Sequence, residues 1–191
     1  MTTATDGRVL RGARNRAAIV DALLALLEEG DPKPSARAIA ARAGISVRTV
    51  FQHFDDMETL FAAVVERQQE RITPLLAPID PTAPRAERVR ALVAQRAQVF
   101  DRIAPVRRAG LRSAGGSPVL REGLERTARR FRRQIEEVFA AELDGPDRRD
   151  RIAALDLVCS FDAWEQLRVG QRLSAGSAQR VVESLVTGIL G

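Results

Sequence analysis

Apolar residues recur along the chain at the three- and four-residue spacing of helices, and no stretch alternates at the period of two that a half-buried strand requires. In "RNRAAIVDALLALLEEG", Val20, Leu23, Leu24 and Leu27 share one face, and Gly30 follows as a stop. "DPKPSARAIAARAG" supplies a proline-bearing link, Ser35 as an N-cap, and a short helix with Ala36, Ile39, Ala40 and Ala43 on one side. Gly44 ends that helix, because glycine enters the left-handed conformation at a helix C-terminus without steric penalty. Ser46 caps a third helix. Asp55, with Glu58 three residues on, caps a fourth that runs through "METLFAAVVERQQERI".

Four prolines in "TPLLAPIDPTAPRAE" interrupt the pattern and set a boundary between a head, residues 1–66, and a larger body, residues 67–191. The body reads as five further helices, roughly 85–103, 104–113, 118–143, 150–169 and 176–190, with Ser117 and Pro118 as a helix start. The expected fold is all-α: about nine helices, a three-helix helix-turn-helix head and a helical C-terminal body.

The segment "SVRTVFQHF" poses the functional question. At about 100° per residue, Val47, Val50, Phe51 and Phe54 fall on one arc, while Arg48, Thr49, Gln52 and His53 fill the other. So short a helix is unstable alone, so its apolar arc is expected in the core, Phe51 included, with the polar arc facing out. Short helix, glycine turn, short helix is the order of a helix-turn-helix, whose second helix enters the DNA major groove. The side chains suit that use. Arg48 can bond guanine O6 and N7 in bidentate fashion, Gln52 adenine N6 and N7, and Thr49 a base or a phosphate. His53 sits lower, at phosphate level. Ser35 and Ser46, opening the two helices, with Arg37, Val47 and Phe51 complete the expected DNA contacts.

Charge agrees without being decisive. The chain carries a net +5 and a pI near 10.9, but Lys33 is its only lysine among 30 basic side chains, so arginine bias accounts for part of the excess. Residues 1–54 hold eight basic side chains (Arg8, Arg11, Arg14, Arg16, Lys33, Arg37, Arg42, Arg48) against five acidic ones (Asp6, Asp21, Glu28, Glu29, Asp31), a surplus of three. Arg8, Arg11, Arg14 and Arg16 read as a mobile basic arm that adds phosphate or minor-groove contacts.

The remaining chemistry is sparse. With one histidine, one cysteine and no tyrosine, neither a histidine-carboxylate metal cluster nor a serine-histidine pairing is available outside the head, so no enzyme activity, metal or cofactor is expected. Cys159 in "LVCSF" reads as packing, and a lone cysteine fits a reducing compartment. No apolar run reaches the roughly 18 residues of a membrane span, and the N-terminus has no secretory signal core, so the expected location is cytoplasmic, away from membranes.

The stretch "SARAIAARAGISVRTVFQHFDDMETLFAAVVE" resembles the DNA-binding head of the tetracycline-repressor (TetR) family over its length, including the spacing from Ala43-Gly44 to His53-Phe54. Two departures stand out. Members often have tyrosine where this chain has Phe51, and lysine near Met57, so the phosphate contacts those residues make are missing or moved, with Arg37, Arg42 or the arm as substitutes. The resemblance implies a homodimer built through the last two long helices, here through Leu155, Val158, Cys159 and Asp162 on one and Val181, Val182, Leu185, Val186 and Ile189 on the other. It also implies a small-molecule effector held by the body. Phe100, Phe131, Phe161, Trp164 and Leu111 are the lining candidates, with Arg107, Arg108 and Arg112 as anion partners. Arg126, Arg129, Arg130 and Arg133 in "ERTARRFRRQ" read instead as a solvated face, paired with Glu122, Glu125, Glu136 and Glu137.

The expected function is a homodimeric transcriptional regulator, a repressor released from a pseudo-palindromic double-stranded DNA operator when an effector binds. The alternatives are a DNA-binding regulator without a small ligand and, more remotely, an all-α enzyme.

Overall fold

A computed structural model describes the backbone of residues 3–113 and 118–191, and side chains outside 3–6, 8, 111–113 and 118–121. Nine α-helices and no strand occur among the described residues: α1 Thr3–Glu28, α2 Ala36–Ala43, α3 Val47–His53, α4 Met57–Ile72, α5 Arg85–Ser113, α6 Pro118–Val138, α7 Arg148–Val158, α8 Phe161–Glu165 and α9 Ala175–Leu190. They form two compact units, residues 1–71 with 103–122, and residues 72–102 with 123–191. The expected all-helical class holds.

Several boundaries moved, three of them for reasons visible in the packing and caps; the helix expected over 118–143 also ends early, at Val138. The basic arm is helical: α1 begins at Thr3 and carries Arg8, Arg11, Arg14 and Arg16 in its first turns. No apolar stripe announces this segment, since Val9 and Leu10 stand exposed. A helix anchored further on propagates at the gain of one hydrogen bond per residue. The expected break at 103/104 is absent, because α5 runs through Pro105. Interior proline removes one helical hydrogen bond and strains the helix, yet Ile103, Ala104 and Val106 around it are all buried, and that packing holds the element together. Conversely, the helix expected over 150–169 stops at Cys159. Ser160 starts α8 by accepting a hydrogen bond from the Ala163 backbone N–H at 3.1 Å, and a π turn, Gln166–Gly170, follows.

The first unit has a continuous core. Ile19, Leu23, Leu24 and Leu27 of α1 meet Ile39 of α2, Val50 of α3, Leu60 and Val64 of α4, and Val106 and Ala109 of α5. Ion pairs of Arg67 with Asp21 (3.1 Å) and Arg71 with Glu28 (3.3 Å) link α4 to α1 outside that core.

In the second unit the half-buried Arg151 and the buried Arg88 do the tying. Arg151 donates to Ile189 O (3.0 Å) and Leu190 O (2.6 Å), carbonyls at the end of α9 that the helix leaves open, and to Glu142 O (2.6 Å) in the turn after α6. Arg88 donates to Ala83 O (2.8 Å) and Val138 O (2.7 Å), and its other bonds go to the Glu142 carboxylate. The Arg88 guanidinium holds the Glu142 carboxyl below the usual glutamate range. Cys159 is buried, and burial pushes its thiol up to about 12, so packing is its role.

A group whose pKa is depressed by folding stabilises above its unfolded pKa, and that stability is lost as pH falls through the folded value. Glu142→Gln is therefore expected to cost about 2–3 kcal/mol in denaturant unfolding at pH 7. The gap to the parent protein should close as the pH falls below the ordinary carboxylate range. A gap that persists in acid would place the loss elsewhere.

Candidate nucleic-acid interface

The geometry of α2 and α3 is set by capping. Ser35 Oγ accepts from the Ala38 N–H (3.1 Å) and Ser46 Oγ from the Thr49 N–H (3.1 Å), each filling one of the donor vacancies at a helix start. Between them, Gly44 takes φ 69°, its N–H donating to Ala41 O (3.3 Å) while Ile45 donates to Ala40 O (3.0 Å). This paired closure reverses the chain in the space of a few residues. The fourth helix is capped one residue later than the sequence pattern indicated. Asp56, not Asp55, accepts from the Thr59 N–H at 2.7 Å and from the Thr59 hydroxyl.

On α3 the arc divides unevenly. Val50 and Phe54 are buried at 1% and 3% exposure, while Val47 and Phe51 are 38% and 48% exposed. The expectation that Phe51 packs in the core is corrected. Only two apolar columns of so short a helix reach the core, and Phe51 lies on the solvent side of them. Val47, Arg48, Phe51 and Gln52 consequently form one open stripe at i, i+1, i+4, i+5, with Ser35, Arg37 and Ser46 also exposed. Thr49 and His53 are half-buried at the edges. The Thr49 hydroxyl lies 2.8 Å from Ser46 Oγ, so the two serve the cap together.

Two features escaped the sequence reading. Arg16 packs its guanidinium 4.3 Å from the centre of the Phe54 ring and donates to His53 O at 3.4 Å, so this member of the supposed arm fixes the end of α3. His53 lies against α1, its Cε1 within 3.9 Å of where a Cβ on Gly12 would sit. Arg42, by contrast, is occupied by Glu29, with one bond of 2.9 Å and a second shorter one. It is therefore no free substitute for the missing phosphate contacts, whereas Arg37 remains open.

The body residues divide as well. Phe100, Phe131, Phe161 and Trp164 do come together: Phe100 meets the Phe131 and Phe161 rings edge-on at 5.8 Å each and Trp164 at 6.5 Å, and all four are buried. They form a packed aromatic cluster, and Phe131 also lines a cleft beside α6. Trp164 Nε1 donates to Asp101 at 3.0 Å. Arg108 is exposed on the stretch of α5 belonging to the first unit, and the side chains of Leu111 and Arg112 lie outside the described residues. Leu155, Cys159, Val182 and Val186, expected at a dimer face, are buried within the chain's own packing of α7 on α9, so they have no surface to offer a second copy. Leu185 and Asp162 are exposed, and Val158 and Ile189 are half-buried.

The head is thus a capped helix-turn-helix whose second helix presents an arginine and a glutamine to solvent. Residues 19–64 match the family model of bacterial regulatory proteins of the tetR family. Over those residues the head is similar to that family. The structure is similar to a transcriptional regulator from Rhodococcus sp. Rha1 (TM-score 0.71, 23% identity, 94% of this chain and 95% of that one). It is similar also to a tetR-family transcriptional regulator from Streptomyces coelicolor (TM-score 0.72, 19% identity, 92% and 78%). A third likeness is to the flavonoid-responsive regulator FrrA (TM-score 0.65, 23% identity, 93% and 96%). At these identities the likeness establishes the fold. Comparison with curated proteins gives no match. No described helix is long and apolar enough to cross a membrane.

The division of α3 has a direct check. Phe54→Ala is expected to cost about 3–5 kcal/mol of unfolding free energy, and Phe51→Ala less than about 0.5 kcal/mol. Equal losses would mean that Phe51 is core after all.

Proposed function

We propose that the protein is a homodimeric DNA-binding transcriptional regulator, a repressor whose hold on a pseudo-palindromic operator is released by a small molecule bound in the body. The observation that carries this reading is the open stripe of α3, in which Arg48 and Gln52 stand free of the core while Val50 and Phe54 hold the helix from behind. Arg48 addresses a guanine edge and Gln52 an adenine edge in the major groove. Val47 and Phe51 supply apolar contact to a thymine methyl or the sugar-phosphate wall, and Ser35, Arg37, Ser46, Thr49 and His53 lie at phosphate level.

Dimerisation uses the apolar side chains that α7 and α9 leave open. Leu157 is 69% exposed, Leu185 46% and Val181 37%, and the half-buried Val158 and Ile189 flank them. Two heads related by a two-fold axis then read two half-sites about one helical turn apart. The effector acts by preferring a body conformation in which the heads no longer match that spacing, and this differential affinity shifts the population off DNA. FrrA is named as responsive to flavonoids, which supports an effector for this fold without naming the one used here.

Selection of sheared host genomic DNA by the purified protein at near-physiological salt tests the reading. Enrichment of a pseudo-palindrome is expected, and Arg48→Ala should weaken binding by about 1–3 kcal/mol while relaxing one base position per half-site. No enrichment by a folded, ligand-free protein would contradict sequence reading by this head.

A further inference from the structure

Within the second unit, the proline-rich segment after α4 and the outer face of α6 enclose a cleft of about 480 Å³. That is within the range of small-ligand sites, roughly 300–1,000 Å³. Leu76, Ile79, Phe131 and Val138 give it apolar walls. Its charged lining consists of Arg130, Arg133 and Glu137, all exposed, a balance of one positive charge. Two neighbouring arginines of this helix pair off, Arg129 with Glu125 at 3.4 Å and Arg132 with Glu136 at 3.4 Å. Among the described residues, Arg130 and Arg133 have no carboxylate partner. The expected ion-paired face of this helix thus leaves two guanidiniums over at the cleft, three residues apart and so adjacent on the helix surface.

Behind the cleft lies a third guanidinium. Arg96 is 2% exposed and has no carboxylate partner either: it donates to Gln134 Oε1 at 2.7 Å and Phe131 O at 3.1 Å, and stacks 4.0 Å from the Phe131 ring centre. Its Nε has no hydrogen-bond partner among the described residues. Burial pushes Arg96 down to about 10, leaving it charged at neutral pH. Gln134, itself part of the lining, passes the connection on: its Nε2 donates to Gln95 Oε1 at 2.7 Å, and Gln95 Nε2 to Ala77 O at 2.8 Å. This chain of hydrogen bonds fixes both walls, one on α6 and one on the proline-rich segment. A buried cation without a counter-ion is costly unless an anion completes the site.

We propose that this cleft binds a small organic monoanion, a carboxylate on an apolar body, with the carboxylate on Arg130 and Arg133 and the body against Leu76, Ile79, Phe131 and Val138. Forked guanidiniums suit a carboxylate because two parallel N–H bonds can form at once. Glu137 sets the limit at one charge, since a second anionic group would meet its carboxylate. Arg96 is a positioning residue, holding Gln134 and adding positive potential behind the site. The proposal rests on the effector-controlled reading above and gives its effector a chemical class and a place.

The chain's single tryptophan, Trp164, touches Phe100, which in turn touches the cleft residue Phe131, so its fluorescence reports occupancy. The probes are 4-phenylbutyrate and 1-naphthaleneacetate, each beside its carboxamide, titrated into the full-length protein by calorimetry and by fluorescence. At least one acid should bind ten-fold or more tightly than its amide. The double variant Arg130→Gln/Arg133→Gln should abolish that preference without changing the melting temperature, while Arg129→Gln should leave it intact. Failure of both acids to bind, an amide that binds as well as its acid, or a preference that survives the double variant would each overturn the proposal. Release of the selected operator DNA is measured separately. An acid that binds in the cleft but leaves DNA bound refutes effector control and not the cleft. A non-acid that releases DNA without displacing the acid does the reverse.

Discussion

Burial of Val50 and Phe54 is the contact on which the head depends. A seven-residue helix has too few internal hydrogen bonds to offset the entropy of forming it, so α3 exists only as far as its two inward side chains hold it to α1, α2 and α4. Everything outward follows from that anchorage. The same rotation that buries Val50 and Phe54 turns Arg48 and Gln52 to solvent, and the caps at Ser46 and Gly44 fix where the helix begins and how sharply the chain turns into it. Arg16, stacked on Phe54, closes the far end.

Much of this was legible in the residues because each local device has a chemical signature. Ser35, Gly44 and Ser46 are capping residues whose preference has a steric or hydrogen-bonding cause, and all three act as expected. The fourth cap slipped by one residue because Asp55 and Asp56 are chemically identical candidates, and only three-dimensional placement chooses between them. Phe51 was misplaced for a similar reason. A helical wheel sorts side chains by angle, whereas burial depends on how much neighbouring surface exists to cover that angle, and α3 has enough for two columns.

Long-range packing was the less legible part. Nothing in the local pattern says that α5 survives Pro105, because the buried neighbours that hold it come from elsewhere in the chain. The aromatic residues of the body pack on one another, and Phe131 among them also lines the cleft. The cleft lies beside α6, where Arg130 and Arg133, unlike Arg129 and Arg132, make no ion pair among the described residues. Likewise Leu155 and Leu185 are equally apolar, and only the packing of α7 on α9 decides that the first is core and the second surface.

The central claim is that the open stripe of α3 lies in the major groove. Dimethyl sulfate protection on an enriched operator fragment tests it most directly, since the reagent methylates guanine N7 in the major groove and adenine N3 in the minor groove. The account predicts N7 protection at two patches about 10 base pairs apart, with one guanine per half-site losing its protection in Arg48→Ala. Unchanged N7 reactivity on DNA that is demonstrably bound would contradict it.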